Sequence, residues 1–170
     1  MEFLELAKSR YSVRKYSDKP VEDEKLDKII EAGRVAPTAR NNQPQKVYVV
    51  RSAEGLAKMK ECTGCSFNAP VVFIFGYDRN IESYEIDIED HRGSVDADIV
   101  QTHMMLEAAD LGLGTCWVKM FDAKATRQAF NIPANIKLVN IMPCGYPAED
   151  SKPTSRHFEI RPLEETVEFL

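Results

Sequence analysis

Four cations and no anion fall between Lys8 and Ser17, in a chain whose formal net charge is −5. Side chains of an extended segment alternate between two faces, so Arg10, Ser12 and Arg14 are predicted to project from one face. Two guanidinium groups around a hydroxyl suit a phosphate, because arginine donates in a planar pair and serine adds a short neutral hydrogen bond. The segment therefore fits an anion cradle, although on these residues alone a solvated basic turn is favoured.

Two later segments suit a flat polar ligand. Residues 36–44 (APTARNNQP) are a dense run of turn formers and amides directly before a strand. Amide side chains both donate and accept, as a heteroaromatic ring with a carbonyl or imide edge requires. Residues 111–119 (LGLGTCWVK) leave a helix and become extended. Gly112 and Gly114 either cap that helix or let the main chain approach a ligand closely.

Signatures of other chemistries are absent or incomplete. The sequence has no P-loop, no glycine-rich dinucleotide fingerprint, no zinc-protease HExxH and no serine-hydrolase elbow. Cys62 and Cys65 have the spacing of half a zinc site or of a dithiol pair, but no second such pair occurs and the three histidines are scattered. Reduced, incidental thiols are favoured, since a chain of this length does not need disulfides.

Hydrophobic periodicity predicts the elements that must position these groups. Helices are predicted over Glu22–Val35, Ala53–Glu61 and Asp96–Leu111, and strands over Lys46–Arg51, Pro70–Tyr77 and Lys137–Cys144. Apolar residues of the third helix spread over much more than one stripe, so it is predicted to be buried on several sides. A core helix and a helix that also crosses a dimer interface both fit. The chain after residue 147 is polar and proline-punctuated, an arm with little of its own to pack against.

Length and composition indicate a single domain over residues 1–170. The chain has 170 residues, of which 44% are hydrophobic and 29% are charged, enough for one buried core. No apolar run is long enough to cross a bilayer and the start lacks signal-peptide features, so a cytoplasmic protein is expected. The acidic balance argues against broad nucleic-acid binding, which needs a concentrated positive face.

Four motifs, in this order along the chain, resemble the FMN-dependent nitroreductase family. They are Arg10–Arg14 (RYSVR), residues 36–44, residues 96–118, and Gly145–Pro147 followed by a basic residue ahead of residues 162–165 (PLEE). The resemblance implies an α+β domain with a mixed, mainly antiparallel sheet surrounded by helices. It also implies an obligate homodimer with a C-terminal arm exchanged between subunits, and one FMN in each of two clefts between them.

The activity implied by this resemblance is FMN-dependent oxidoreduction. Hydride would come from NADH or NADPH, and a nitroaromatic, quinone or similar small oxidised acceptor would be reduced in a ping-pong mechanism. Because the flavin carries the chemistry, no catalytic side chain is expected. No metal, nucleic acid or membrane is implied.

The resemblance assigns the phosphate contacts to two parts of the chain. Arg10 and Ser12 would hold the FMN phosphate, with Tyr11 contributing a main-chain or ring contact. From the arm, Arg156 and Arg161 are candidates for closing over the phosphate. Which of these two arginines reaches it is open.

The implied contacts to the isoalloxazine ring are more spread out. Arg14 would lie near the pyrimidine edge, where a cation stabilises negative charge on the reduced ring. The segment reaching the ring from the other subunit would comprise Pro37, Thr38, Ala39 and Asn41. The stretch whose backbone lies against the ring would comprise Trp117, Val118 and Lys119. Many relatives have glycine where this chain has Lys119 and Met120, which leaves access to the ring and the choice of acceptor open.

Two alternatives from other functional classes remain at this point. The first is a flavin-binding or flavin-handling protein with little turnover. The second is a thiol-redox protein that uses Cys62 and Cys65.

Overall fold

The computed structural model describes residues 2–81 and 92–170. The helices are α1 (Phe3–Ser9), α2 (Asp23–Arg34), α3 (Ala53–Cys62), α4 (Arg92–Asp110) and α5 (Ala123–Ala129), and the strands are β1 (Gln45–Val50), β2 (Val71–Asp78), β3 (Gly114–Thr115) and β4 (Ile136–Gly145). Short 3-10 turns occur at Ala39–Asn41, Gly64–Ser66, Ser155–Phe158 and Leu163–Glu165. The acidic residues 82–91, between the second predicted strand and the long helix, lie outside the described residues. No helix in the described ranges is both long and apolar enough to span a membrane.

The sheet has the strand order β1-β2-β4-β3, and each named pair is antiparallel. A single parallel bridge joins Ser12 to Thr115 beside β3. Strand β2 lies inside the sheet, and its residues 71–77 are all buried, which explains why its sequence is continuously apolar rather than alternating. The predicted mainly antiparallel α+β fold is therefore confirmed.

Helices cover both faces of this sheet. On one face Phe73 and Phe75 belong to a buried cluster with Ile29 of α2 and Met104 of α4. On the other face Ile74 clusters with residues of α3 and of the α5 region. Successive side chains of β2 therefore pack into two separate apolar layers, one on each face of the sheet.

Helix α4 is the central helix of the fold, as its apolar spread predicts. It packs against α1, α2 and all four strands. It is described from Arg92, four residues before the predicted start at Asp96. The sequence Arg-Gly-Ser-Val has weak helix propensity, but Gly93 lies so close to Tyr77 that an added Cβ would come within 2.2 Å of the ring. Tertiary packing of this kind overrides local propensity.

A network of hydrogen bonds links the start of α2 to the residues that follow α4 and β4. The Lys25 ammonium donates to the Leu111 carbonyl at 2.7 Å and to the Tyr146 hydroxyl oxygen at 2.9 Å. Tyr146 in turn donates to the Glu22 carboxylate at 2.7 Å, and Lys19 lies 3.8 Å from the centre of its ring. The hydrogen bond from Tyr146, more than the nearby Lys19, lowers the pKa of Glu22 from 4.5 to about 2.

Substitution Tyr146→Phe is expected to raise the pKa of Glu22 toward 4.5. A carboxyl whose pKa is depressed on folding stabilises the fold above its unfolded pKa and loses that contribution as the pH falls through the folded pKa. The wild-type protein should therefore exceed Tyr146→Phe in urea midpoint at pH 7, with the Glu22 part of that difference fading between pH 4.5 and about 2. Carboxyl NMR titration of Glu22 checks the assignment, and an unchanged pKa in the variant would contradict it.

Candidate cofactor site

Main-chain and hydroxyl hydrogen bonds lay the basic segment along the edge of the sheet. The Val13 amide donates to the Thr115 carbonyl at 2.9 Å, beside the parallel bridge between Ser12 and Thr115. The Tyr16 hydroxyl donates to the carbonyls of Val13 at 2.9 Å and Pro143 at 3.2 Å. These bonds hold residues 12–16 extended against β3 and the end of β4.

Gly114 allows this close approach. A Cβ on Gly114 would come within 2.4 Å of Val13 Cγ2, so any larger residue would push the basic segment off the sheet. Val13 is 1% exposed, whereas its neighbours Ser12 and Arg14 face the other way. Arg10, Ser12 and Arg14 line one pocket, as predicted, but Tyr11 between them lines it too.

Gly112 has a different purpose, which is to end α4. Its φ is +77°, its amide donates to Ala109 and the Leu113 amide donates to Ala108. These two bonds around a left-handed glycine form a Schellman cap. Of the two alternatives raised by the glycine pair, Gly112 therefore fits the cap, and Gly114 serves a close approach to Val13 within the chain itself.

One pocket of about 320 Å³ gathers the positive charge. It is lined by Arg10, Tyr11, Ser12, Arg14, Thr154, Arg156 and His157. In the parts of the chain that the structure describes, the three guanidinium groups of this pocket have no carboxylate partner. Like charges converge there without compensation, which is the electrostatic signature of an anion site.

Tyr11 is the residue that brings the arm to this pocket. Its hydroxyl lies 3.2 Å from both the Ser151 carbonyl and the Ser151 hydroxyl, and its ring meets the His157 ring edge-on at a centroid distance of 6.3 Å. Sequence reasoning did not select Thr154 and His157 for this site. The polar residues of the sequence Thr-Ser-Arg-His around Arg156 could have suggested a binding role. No feature of the neighbouring sequence, however, indicated that they lie next to Arg10.

Lys15 and Arg161 lie outside the pocket and are paired elsewhere. Lys15 donates to Asp150 at 2.5 Å, which neutralises one of the four cations counted in the basic segment. Arg161 donates to Glu165 at 3.0 Å, one helical turn further along the arm. Of the two arm arginines, the structure thus brings only Arg156 to the residue 10–14 segment.

The amide-rich loop is shaped by left-handed backbone and held by side-chain acceptors. Arg40, Asn41 and Gln43 have φ values of 53°, 56° and 52°, in a region that costs a non-glycine residue about 1–2 kcal/mol each. The Thr38 hydroxyl accepts from the Gln43 amide at 3.0 Å, and the Asp96 carboxylate accepts from the Ala39 amide at 2.9 Å. Pro37, Thr38, Ala39 and Asn41 do not line the cationic pocket of the same chain.

The stretch after β3 stays extended, as predicted. Val118 is buried and bridges Ile141, while Trp117 is half-buried and Lys119 is exposed. A hydrogen bond of 2.6 Å from the Thr63 hydroxyl to the Met120 carbonyl fixes the end of the stretch. Residues 117–119 continue from Thr115, which bonds to the basic segment, so the two predicted regions are neighbours along one sheet edge.

All four cysteines are free thiols. Burial raises the pKa of the Cys144 thiol to about 12, and burial also raises the pKa of Cys116, so both remain protonated at neutral pH. Cys62 is buried and Cys65 is half-buried. Within the described residues, no group of three or more histidine, cysteine or acidic side chains is placed to hold a metal ion.

Comparison of the sequence with known proteins finds one matching family model and several similar relatives. The nitroreductase family model matches residues 7–68 and 62–146. A relative from Archaeoglobus fulgidus, whose name proposes NADH dehydrogenase or NAD(P)H nitroreductase activity, is 31% identical over 88% of this chain and 87% of its own length.

Two solved structures are similar over nearly the whole chain. A nitroreductase family protein from Clostridium difficile 630 has a TM-score of 0.91 and 36% identity, covering 99% of this chain and 98% of that protein. An FMN-dependent nitroreductase from Clostridium difficile R20291 has a TM-score of 0.81 and 28% identity, covering 98% of both chains.

Substitution Gly114→Ala is expected to displace the basic segment, because the new methyl group would overlap Val13. Misplacement of binding groups is costly, so affinity for FMN, the cofactor that the motifs imply, should fall about tenfold or more. Gly112→Ala is the matched control, since its Cβ would meet open space and only the left-handed backbone is strained, at about 1 kcal/mol of stability. Flavin fluorescence titration and urea unfolding separate the two effects. Equal FMN affinity in both variants would contradict this role of Gly114.

Proposed function

The chain belongs to the nitroreductase family, and from that premise we propose that it is an FMN-dependent oxidoreductase. It takes hydride from NADH or NADPH and reduces a nitroaromatic, a quinone or a similar oxidised acceptor. The observation that supports this most strongly is the convergence of Arg10, Arg14 and Arg156 in one pocket without a carboxylate partner among the described residues. The phosphate ester of FMN would supply negative charge for Arg10 and Arg156, and the reduced ring would supply it for Arg14.

The residues present fit an FMN phosphate. Arg10 from the basic segment and Arg156 from the arm offer guanidinium donors, and Ser12 and Thr154 add hydroxyl groups. A phosphate dianion has enough acceptor oxygens for these donors. When bound, FMN supplies the electron transfer itself, with donor and acceptor served in ping-pong order.

Arg14 is proposed to lie near the pyrimidine edge of the ring. Its guanidinium is exposed and donates weakly, at 3.3 Å, to the Ser12 carbonyl, so it is available to a ligand. A unit charge pair at about 4 Å and an effective dielectric constant of about 20 interacts by roughly 4 kcal/mol before desolvation is subtracted. Arg14 therefore favours negative charge on the reduced ring. The backbone of Trp117, Val118 and Lys119 is proposed to lie against the ring.

The rest of the site is proposed to come from a second copy of the chain. Loop residues Pro37, Thr38, Ala39 and Asn41 are outside the cationic pocket of their own chain, and most of them are exposed. A groove beside them exposes apolar side chains between α1, α2 and α4, including Phe3 at 67% and Val35 at 63%. Pairing of this face with its copy would cover the groove and turn the loop toward the partner's site.

The C-terminal arm supports the same dimer. In the single chain Ile160 and Phe169 are 85% and 90% exposed, which is unusual for such large apolar side chains. A second apolar groove lies beside the edge strand β1 and is lined in part by Ile30, Val47 and Met104. We place the arm of a second copy over this groove, where it would bury both surfaces.

Substitution Arg156→Ala is expected to weaken FMN binding by about tenfold to a hundredfold, since a hydrogen bond to a charged group contributes about 1.5–3 kcal/mol. Riboflavin, which lacks the phosphate, should bind this variant and the wild type equally. Arg161→Ala is the matched control on the same arm, because Arg161 pairs with Glu165 outside the pocket. Fluorescence titration with both flavins gives the comparison.

Three outcomes would contradict these assignments. Equal losses of FMN and riboflavin affinity would remove Arg156 from the phosphate site. A wild-type protein that takes up no FMN would overturn the proposed cofactor. Bound FMN without consumption of NADH or NADPH in the presence of a nitroaromatic or quinone would favour the flavin-handling alternative over an enzyme.

Substitution Val35→Asp is expected to convert the dimer to a monomer, because the introduced charge would be buried only in the assembly. The folded single chain should tolerate it, as Val35 is exposed there. FMN should be lost with the partner's loop. Ala57→Asp adds the same charge to an exposed position of α3 on the other face of the sheet and should remain dimeric. Sedimentation velocity measures both, and a monomeric wild type would contradict the proposal.

A further inference from the structure

Asp96 is a buried carboxylate with an unusual attachment. Its side chain belongs to α4, the residue is 5% exposed, and its one hydrogen bond within the described residues comes from the Ala39 amide at 2.9 Å. Removing a carboxylate from water is costly unless it is well paired, and a single backbone amide compensates only part of that cost. Within the described residues, Asp96 is therefore explained better by the segment it holds than by the stability it adds.

Asp96 holds the amide-rich loop at Ala39, just before the backbone of the loop enters the left-handed region. Ala39 directly precedes Arg40 and Asn41, whose φ values are 53° and 56°. The neighbouring main-chain bonds, from Asn41 to Thr38 and from Asn42 to Ala39, stay within the loop. The bond from Ala39 to Asp96 instead joins the loop to the central helix. A strained turn tied to a rigid element is thereby kept in one conformation.

We propose that Asp96 is a positioning residue for the flavin ring, which acts by fixing the main chain of Ala39 and the turn that follows. This inference rests on the proposed function, in which Pro37, Thr38, Ala39 and Asn41 reach the ring from the second subunit. Asp96 touches the loop and not the cofactor. Loss of Asp96 should therefore weaken contacts to the flavin ring and leave contacts to the phosphate unchanged.

The test compares Asp96→Ala with three matched variants, each made in the whole 170-residue chain. Loss of the carboxylate should raise the dissociation constants of FMN and riboflavin by the same factor, about tenfold, which corresponds to about 1.4 kcal/mol. Asp96→Asn retains an acceptor for the Ala39 amide and should restore affinity to within about threefold of wild type. Arg156→Ala should weaken FMN alone, because it acts on the phosphate.

Asp98→Ala controls for charge and for damage to α4. Asp98 lies on the same helix and accepts from the Asn140 side chain at 2.6 Å, so its removal should lower the urea midpoint without changing either flavin affinity. Hydrogen exchange at the Ala39 amide provides a second readout, and protection there should fall in Asp96→Ala and persist in Asp98→Ala.

Each failure has a distinct meaning. Unchanged flavin affinity in Asp96→Ala, with a wild type that binds FMN, overturns the positioning role and leaves the proposed function intact. Equal losses in Asp96→Ala and Asp98→Ala also overturn it, since they reduce Asp96 to a structural residue of α4. A wild type that binds neither flavin overturns both the proposed function and this inference.

Discussion

The arrangement of the site depends on holding like charges together. Two unit charges repel by about 1 kcal/mol at about 4 Å even in water, and more where water is excluded. Arg10, Arg14 and Arg156 nevertheless share a pocket in which the described chain offers no counter-charge. Such an arrangement persists only if rigid neighbours hold the cations and an anion compensates them. In this protein the rigid neighbours are the sheet edge and Tyr11, and the proposed anion is the phosphate of FMN.

Packing supplies the rigidity. Val13 is buried against Gly114 and its amide bonds to Thr115, so the basic segment is attached to β3 on one side and is free to face a ligand on the other. Helix α4 leads directly into β3, because its Schellman cap at Gly112 ends the helix just before that strand. The same helix holds the amide-rich loop through Asp96. One central element therefore contacts two segments, far apart in the sequence, that are proposed to bind the cofactor.

In a single chain, the cationic pocket and the amide-rich loop, which we propose to be the two halves of a cofactor site, do not meet. The cationic pocket and the amide-rich loop lie apart, and apolar grooves and the exposed arm border them. A site divided in this way gives the proposed dimer a functional reason, since each subunit would complete the other's pocket. It also makes cofactor affinity sensitive to the interface, whereas the fold of the individual chain has its own two apolar layers.

The sequence by itself determined α2, α3, α4 and the strands β1, β2 and β4, because these follow from short-range periodicity and backbone chemistry. The fold class came from the resemblance of its motifs to a known family. The bounds of the predicted elements agree with the structure to within a residue or two, except at the start of α4, where the packing of Gly93 on Tyr77 extends the helix beyond its local propensity. The short helices α1 and α5 were not predicted. Only the tertiary structure separated Arg156 from Arg161, added Thr154 and His157, and joined Asp96 to Ala39. These relations connect residues many positions apart, and spatial proximity of that kind is decided by how the elements pack and not by any pattern within one of them.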